Sequence, residues 1–185
     1  MESKNIIVTG AAGYIGGTFA YEALKKGHHV IGIDNFCNSS PDNEKKLSKF
    51  NNFNFYNCDI SKEKETIKEI VRPHNPDAII HFAGLKAVGD SEKEQAVYWE
   101  NNLLSTLNLL DVIKHCDTNF IFSSSATVYG DSKIQPITEE AQTKTSSAYG
   151  STKLAQELLI SDYARAYKKH CISLRYFNPV GAHSD

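Results

Sequence analysis

A tyrosine and a lysine stand four residues apart in the stretch AYGSTK, residues 148–153. On an α-helix, this spacing puts the side chains of Tyr149 and Lys153 on one face, one above the other. A lysine ammonium close to a phenol favours the phenolate, so the two residues could act as a base and its electrostatic partner. The same spacing also occurs in ordinary surface pairs, and the rest of the sequence has to separate these interpretations.

Three hydroxyl residues end an apolar run in the stretch FIFSSSATVYG, residues 120–130. In parallel sheets the carboxyl ends of the strands line the ligand crevice, so Ser123, Ser124 and Ser125 could present hydroxyl groups to a ligand. Ser125 precedes Tyr149 by 24 residues. The alternative is that the serines only cap the following turn.

A glycine-rich turn follows the first apolar run, in the stretch IIVTGAAGYIGG at residues 6–17. Gly10 permits a tight turn, Gly13 lets backbone N–H groups approach a pyrophosphate, and Gly16 lets the next helix pack closely on the strand. The N-terminus of that helix adds partial positive charge. The pattern predicts a dinucleotide site, although glycines that serve packing alone would look similar.

Two aspartates follow the next strands at places where a dinucleotide would be held. Asp34 ends the second apolar run, 18 residues beyond Gly16, where an acidic side chain accepts hydrogen bonds from the adenosine ribose. A carboxylate there repels a 2′-phosphate, which favours NAD over NADP. Asp59 ends the third run and could accept from the adenine amino group or cap a loop.

Apolar runs of strand length alternate with longer segments of helical period along the chain. The runs cover residues 6–8, 30–33, 53–56, 78–82, 120–122 and 172–177, and the helical segments 14–26, 62–71, 92–115 and 147–169, with a weaker one at 41–50. Nearly continuous apolar strands alternating with helices predict an α/β fold, a doubly wound parallel (Rossmann) sheet with helices on both faces. The polar segment 131–147 predicts a surface loop, and we expect residues 1–185 to form one NAD-binding domain.

The composition excludes several classes of protein. The net charge of −2 gives no basic surface for nucleic acid, and no apolar run approaches the roughly 20 residues of a membrane helix. The N-terminal residues have no signal-peptide pattern, and the four cysteines and seven histidines show no metal-ligand spacing. We therefore expect a cytoplasmic protein with no metal, no membrane partner and no nucleic-acid partner.

The motifs taken together resemble a known family. TGAAGYIGG, DNFCNS, HFAGLKAVGDS, FSSSATVYG, AYGSTK and RYFNPVGAH resemble the extended, nucleotide-sugar branch of the short-chain dehydrogenase/reductases, the NAD-dependent epimerases and dehydratases. Within that branch they are similar to the UDP-glucose 4-epimerases. Ala11, where the family usually has glycine, and Gly17–Thr18, where it has Ser-His, are departures that leave the three spaced glycines intact.

The resemblance assigns roles to residues. The implied catalytic residues are Ser125, Tyr149 and Lys153. The implied NAD-binding residues are Gly10, Gly13, Tyr14, Ile15, Gly16, Asp34, Asn35, Phe36, Cys37, Asn38, Ser39, Asp59, Ile60, Phe82, Ala83, Gly84, Leu85, Lys86, Asn102, Tyr149, Lys153 and Phe177. The implied residues for the UDP-sugar substrate are Lys86, Ser125, Thr127, Tyr149 and Asn178.

The resemblance also implies a reaction, the interconversion of UDP-glucose and UDP-galactose in galactose metabolism. The C4–H bond of a hexose is not acidic, so the sugar is transiently oxidised at C4 with NAD and then reduced on its other face. Tyr149 would be the base, Lys153 its electrostatic partner, and Ser125 a hydrogen-bonding proton relay. The resemblance further implies that a smaller substrate domain follows this one in the full-length family, so that we expect this chain to lack it, and that the full-length enzyme is a homodimer.

Three functions stay open on the sequence alone. The first is the epimerase, with full activity needing the substrate domain, and the second is a neighbouring enzyme of the branch. A dehydratase is disfavoured because Ala126 and Val128 flank Thr127, where those enzymes carry an acid–base pair. Epimerases of UDP-glucuronate or UDP-N-acetylhexosamines are harder to separate. The third is a non-catalytic NAD-binding fragment.

Overall fold

Six parallel strands form one sheet in the order β3-β2-β1-β4-β5-β6. The computed structural model describes residues 2–133 and 135–181. The strands are β1 (Asn5–Thr9), β2 (His29–Asp34), β3 (Phe53–Asn57), β4 (Ala78–His81), β5 (Asn119–Ser125) and β6 (Cys171–Tyr176). The helices are α1 (Tyr14–Lys25), α2 (Pro41–Leu47), α3 (Lys64–His74), α4 (Val88–Lys93), α5 (Gln95–Ile113) and α6 (Ala148–Tyr167), with a 3-10 helix at Ala126–Tyr129.

The strand order reverses at β1, which pairs with β2 on one side and with β4 on the other. In an open α/β sheet, such a switch point opens a crevice at the carboxyl ends of the strands. The predicted doubly wound parallel sheet is therefore confirmed, and the crevice lies where the glycine turn leaves β1.

Alternating residues of β1 divide the core between the two faces of the sheet. Ile7 belongs to a cluster that packs on α3, α5 and α6, and Val8 to a smaller cluster that packs on α1 and α2. Both side chains are fully buried. Because successive side chains of a strand point to opposite faces, a single apolar run serves both layers of helices.

Serine side chains start two of the helices. The Ser40 side chain accepts a hydrogen bond from the Asp42 N–H at the start of α2, and Pro41 occupies the first helical position. Ser147 caps α6 by accepting from the Gly150 N–H at 3.0 Å. The cap at Ser147 fixes the helix that carries Tyr149.

The helix predicted over residues 92–115 is wrong in one respect, because the structure has two helices there, α4 and α5. Glu94 lies between them with non-helical backbone angles, φ −118° and ψ 47°. The break turns α4 toward α6, where Ser91 Oγ accepts from the Tyr149 N–H at 3.1 Å and Glu92 from the Ala148 N–H at 2.7 Å. These tertiary hydrogen bonds override the helical period of the sequence.

The remaining boundaries differ from prediction by a few residues. The fourth strand ends at His81, and the third ends two residues before Asp59. The described residues of segment 131–147 form no helix or strand, as expected of a loop. Ile134 of that loop, and Ala182 and His183 of the last motif, lie outside the described residues.

None of the helices in the described ranges has the length and apolarity to cross a membrane. Within those same ranges, His, Cys, Asp and Glu side chains form no group of three or more that could hold a metal ion.

Candidate active site

A cleft runs across the carboxyl ends of the central strands. The predicted cofactor residues that line it are Gly10, Gly13, Tyr14, Ile15, Gly16, Asp34, Asn35, Cys37, Asn38, Asp59, Ile60, Phe82, Ala83, Gly84 and Lys86. Ile33, Cys58, Asn101, Ser105 and Ser123 also line it, although the sequence motifs did not single them out for the cofactor. The fold therefore gathers segments from five strand ends around one space.

The glycine turn leaves the N-terminus of α1 open toward this cleft. Gly10 has φ +72°, and a Cβ atom there would lie 2.8 Å from the Ala83 nitrogen. No side chain caps α1, and its first turn carries no acidic residue. Uncapped N–H groups with partial positive charge suit an anionic diphosphate, so this end of the cleft fits the pyrophosphate of a dinucleotide.

The side chains of Asp34 and Asn43 form hydrogen bonds with the backbone of the glycine turn. The Asp34 carboxylate accepts hydrogen bonds from the Ala12 N–H, the Phe36 N–H and the Ser39 hydroxyl at 3.0, 2.9 and 2.9 Å. The Asn43 amide, on α2, donates to the carbonyl oxygens of Ala12 and Gly13 at 2.9 and 3.2 Å. A carboxylate has about four acceptor sites, which leaves Asp34 capacity for a further donor. Asn43 was missed, since nothing in its local sequence marks it.

Asp59 makes the contacts of a loop cap while also lining the cleft. Its carboxylate accepts from the Ser61 N–H and hydroxyl at 3.0 and 2.6 Å and pairs with Lys62 at 3.1 Å. Burial opposes the charged form of Asp59, but these partners outweigh it and lower the pKa of the carboxyl. The two interpretations of Asp59 are thus compatible in space.

The loop after β4 is held from behind by the buried Asn102. The Asn102 side chain accepts from the Leu85 N–H at 2.9 Å and donates to the Leu85 carbonyl at 3.1 Å. The same amide donates to the Thr152 hydroxyl at 3.1 Å. Asn102 thereby joins this loop to α6. It does not line the cleft itself but supports the loop that does.

Ser125, Tyr149 and Lys153 lie together next to the cleft, whose lining includes Ser123 but none of these three residues. The Tyr149 phenol is hydrogen-bonded to the Ser125 side chain. The Lys153 ammonium lies 5.8 Å from the centre of the Tyr149 ring and donates to the Ser123 carbonyl at 2.8 Å. The α6 backbone can approach β5 this closely because a Cβ atom on Gly150 would lie 2.8 Å from the Thr127 oxygen.

Burial dominates the electrostatics of this group. It raises the pKa of the Tyr149 phenol above the ordinary value of 10, and the Ser125 hydrogen bond lowers it by less. Burial also lowers the pKa of Lys153 to about 8, although Glu157 raises it. In the chain without cofactor, desolvation therefore disfavours the phenolate of Tyr149, and the acidifying effect expected from Lys153 together with the positive nicotinamide ring stays a prediction.

A chain of buried polar groups lies beneath the site. The His81 ring bonds to the Thr9 and Thr106 hydroxyl oxygens at 2.7 and 3.1 Å, and the Gln156 amide donates to Thr106 at 2.7 Å. Burial and the nearby Lys153 lower the pKa of His81 to about 3, so the ring is neutral near pH 7. Thr9 also accepts from the Ala83 N–H at 3.3 Å, which ties the cofactor loop to this chain.

Several predicted residues lie outside the cleft lining. Phe177 is 57% exposed and stacks on Tyr129 with ring centres 6.4 Å apart, and Asn178 is exposed. Phe36 packs on Phe55 with ring centres 5.3 Å apart. Thr127 has a buried hydroxyl with no hydrogen-bond partner in the described part of the chain. The roles predicted for these residues stay predictions.

Comparisons with known proteins agree with this geometry. A model of the NAD dependent epimerase/dehydratase family matches residues 6–185. The UDP-glucose 4-epimerase of Haemophilus influenzae is 44% identical over 183 residues, which are 96% of the chain and 54% of that protein. The crystal structure of UDP-glucose 4-epimerase from Bifidobacterium longum in complex with NAD+ and UDP is 44% identical, with a TM-score of 0.91, over 97% of the chain and 55% of that protein.

A UDP-N-acetylglucosamine 4-epimerase from Methanobrevibacter ruminantium, solved with UDP-N-acetylmuramic acid, is also similar. It is 30% identical with a TM-score of 0.89, over the whole chain and 58% of that protein. The chain thus spans about half the length of the relatives that it matches.

Proposed function

The chain belongs to the NAD dependent epimerase/dehydratase family, and we propose that it is the NAD-binding part of an enzyme that interconverts UDP-glucose and UDP-galactose. The domain assignment, residues 1–185 as a cofactor domain, is part of this proposal. A UDP-glucose 4-epimerase from Haemophilus influenzae and one from Bifidobacterium longum, each 44% identical to the chain, carry that activity in their names.

One observation carries the proposal. The Tyr149 phenol is bonded to Ser125 and close to the Lys153 ammonium, and that ammonium donates to the carbonyl of Ser123, which lines the same cleft as the glycine turn. A dinucleotide whose diphosphate lies at α1 would extend along the strand ends toward Tyr149. The nicotinamide ring, which takes the hydride, and the Tyr149 phenol, which takes the proton, would then both lie next to C4 of the sugar and its hydroxyl group.

The side chains divide the chemistry among them. NAD, when bound, supplies reversible hydride transfer at C4 of the sugar. Tyr149 takes the proton from the 4-hydroxyl group and returns it, and Ser125 orients the sugar oxygen and relays the proton. Lys153 supplies positive charge beside the phenol and donors for ribose hydroxyl groups.

Asp34 supports a preference for NAD over NADP. Its carboxylate lines the adenosine end of the cleft and has acceptor capacity for ribose hydroxyl groups. A 2′-phosphate at this place would meet a negative charge, and the described contacts of Asp34 are with neutral donors.

The test starts with the purified 185-residue chain. We expect the chain to bind NAD, measured as nucleotide released after denaturation, and more weakly NADP. Conversion of UDP-galactose to UDP-glucose is then compared between the chain, Tyr149→Phe and Tyr167→Phe, which changes an exposed phenol on the same helix. A chain without affinity for NAD would contradict the proposal, and so would, in a chain that converts the sugar, a Tyr149→Phe variant as active as Tyr167→Phe.

The same assay separates the alternatives. UDP-N-acetylglucosamine and UDP-glucuronate are offered in parallel, and a clear preference for one of them assigns the chain to a neighbouring epimerase of the branch. Bound NAD without turnover of any sugar identifies a cofactor-binding domain that needs further protein for activity. The homodimer implied by the family resemblance stays a prediction.

A further inference from the structure

Three consecutive serines at the end of β5 meet three residues of α6 spaced four apart. Tyr149 bonds to the Ser125 side chain, and Lys153 donates to the Ser123 carbonyl. One turn further along the same helix face, Glu157 accepts from the Ser124 hydroxyl at 2.5 Å. The row of α6 residues along β5 thus has a third member that the proposed chemistry does not use.

Glu157 is also held from β6. Arg175 donates to both of its carboxylate oxygens, with Nε at 3.0 and 3.2 Å and Nη2 at 2.7 Å. Arg175 is the register partner of Ser124, so a single level of the sheet supplies both groups. The Glu157 and Arg175 side chains are 10% and 23% exposed. A bidentate pair this well buried has a defined geometry rather than the loose contact of a surface pair.

Arg175 has a second anchor. Its Nη1 donates to the Tyr129 hydroxyl at 2.7 Å, and the guanidinium lies 4.9 Å from the centre of the Tyr129 ring. Tyr129 ends the 3-10 helix that follows the serines. The pair therefore connects β5, β6, α6 and that 3-10 helix directly behind the candidate active site.

Glu157 also belongs to the charged groups around Lys153. Lys153 lies over the Phe122 ring at 4.6 Å and near the Tyr149 ring on its own helix, and the buried His81 on β4, whose pKa its charge helps to lower, is neutral. Of the groups described around it, Glu157 supplies the negative charge that favours the ammonium form. Arg175 pairs with that carboxylate, and we expect its positive charge to act on Lys153 in the opposite direction.

We propose that Glu157, held by Arg175 and Ser124, is a positioning residue of the active site that sets both the place of Lys153 against β5 and the charge of its amine. The importance of this role for catalysis rests on the proposed function, whereas the effect of Glu157 on Lys153 does not depend on it. The geometry behind it is that Lys153 and Glu157, one helical turn apart, bond to the adjacent residues Ser123 and Ser124 of β5.

The test measures the titration of the Lys153 amine in the 185-residue chain, without cofactor or substrate. Isotope-labelled lysine side chains are followed by NMR, and the Lys153 signal is assigned from its loss in Lys153→Arg. We expect a midpoint near 8 in the unmodified chain. Glu157→Gln should lower this midpoint by about one unit, a tenfold change in the protonation equilibrium, and Arg175→Met should raise it.

Matched variants separate charge from stability. Asp162→Asn removes an exposed carboxylate from the same helix and should leave the midpoint unchanged. Arg175→Lys keeps the positive charge and should stay close to the unmodified chain. A pair that only holds the fold together would lower the thermal midpoint in both variants without moving the lysine titration in opposite directions.

Three results would overturn the proposal. They are an unchanged Lys153 midpoint in folded Glu157→Gln, shifts of the same sign in Glu157→Gln and Arg175→Met, and failure of both variants to fold. A chain that shows the expected shifts but does not bind NAD would refute the proposed function and leave this inference standing.

Discussion

A Cβ atom on Gly16 would lie 2.2 Å from the carbonyl oxygen of Gly10. The first turn of α1 therefore packs against the turn after β1 with no room for a side chain at position 16. Because the nearest atoms are backbone and not the end of a flexible side chain, any larger residue must move the turn.

Gly16→Ala should accordingly weaken NAD binding at least tenfold and lower the free energy of unfolding by about 1–3 kcal/mol. The matched control is Gly89→Ala in the first turn of α4, where an added Cβ meets no atom within 4 Å. Calorimetric titration with NAD and urea unfolding measure the two effects. Equal NAD affinity in the two variants would show that the turn does not hold the diphosphate.

Asn43→Ala should loosen the same turn from the side of α2. The amide donates to two carbonyl oxygens of the turn, at Ala12 and Gly13, and its loss leaves both without that donor. We expect a loss of about 1–2 kcal/mol in unfolding free energy and a severalfold weaker affinity for NAD. Lys45→Ala, which changes an exposed side chain of α2, is the control. An Asn43→Ala variant with unaltered NAD affinity would show that Asn43 stabilises the turn without contributing to NAD binding.

The Tyr149 phenol should titrate above pH 10 in the chain without cofactor, because burial disfavours its charged form. Binding of NAD should lower this pKa, since the nicotinamide ring is positive and would lie beside the phenol. The near-ultraviolet absorbance of phenolate, taken as the difference between the chain and Tyr149→Phe, reports this one group. A Tyr149 titration that does not move on NAD binding would place the nicotinamide away from the phenol.

His81 should make the stability fall as the pH is lowered. Below pH 6.5 the unfolded chain binds a proton at this residue, whereas the folded chain does so only near pH 3. Stability is therefore fully present above pH 6.5 and is lost in the window below it, by about 2 kcal/mol at roughly pH 5.

Urea unfolding at several pH values measures this loss. His81→Gln should flatten the pH dependence by that amount, whatever its effect on stability itself, and His115→Gln, at an exposed site, should not. If His81→Gln and the unmodified chain show the same slope in this window, the ring at position 81 is not the buried neutral group described above.

The sequence predicts the fold because the relevant signals are local. Apolar runs of strand length between segments of helical period indicate a parallel sheet, and the spaced glycines mark the turn after β1. Most of the cofactor residues implied by the family resemblance also line one cleft. The spacing of Tyr149 and Lys153 likewise needs only the period of a helix.

Contacts between segments that are far apart in the sequence could not be predicted from such local signals. The separation of α4 from α5 at Glu94 depends on hydrogen bonds to α6, whose first residues come more than fifty positions later. Asn43 and Arg175 look like ordinary polar residues in the sequence, and only the packed sheet brings them to the glycine turn and to Glu157.

The sequence by itself therefore determined the order of strands and helices, the diphosphate turn and the helical pairing of Tyr149 with Lys153, because turn geometry and helical period are properties of neighbouring residues. Only the tertiary structure decided the direction of the Tyr149 pKa and the charged neighbours of Lys153. Burial and charge act through space, and which groups leave water together depends on how the whole sheet and its helices pack.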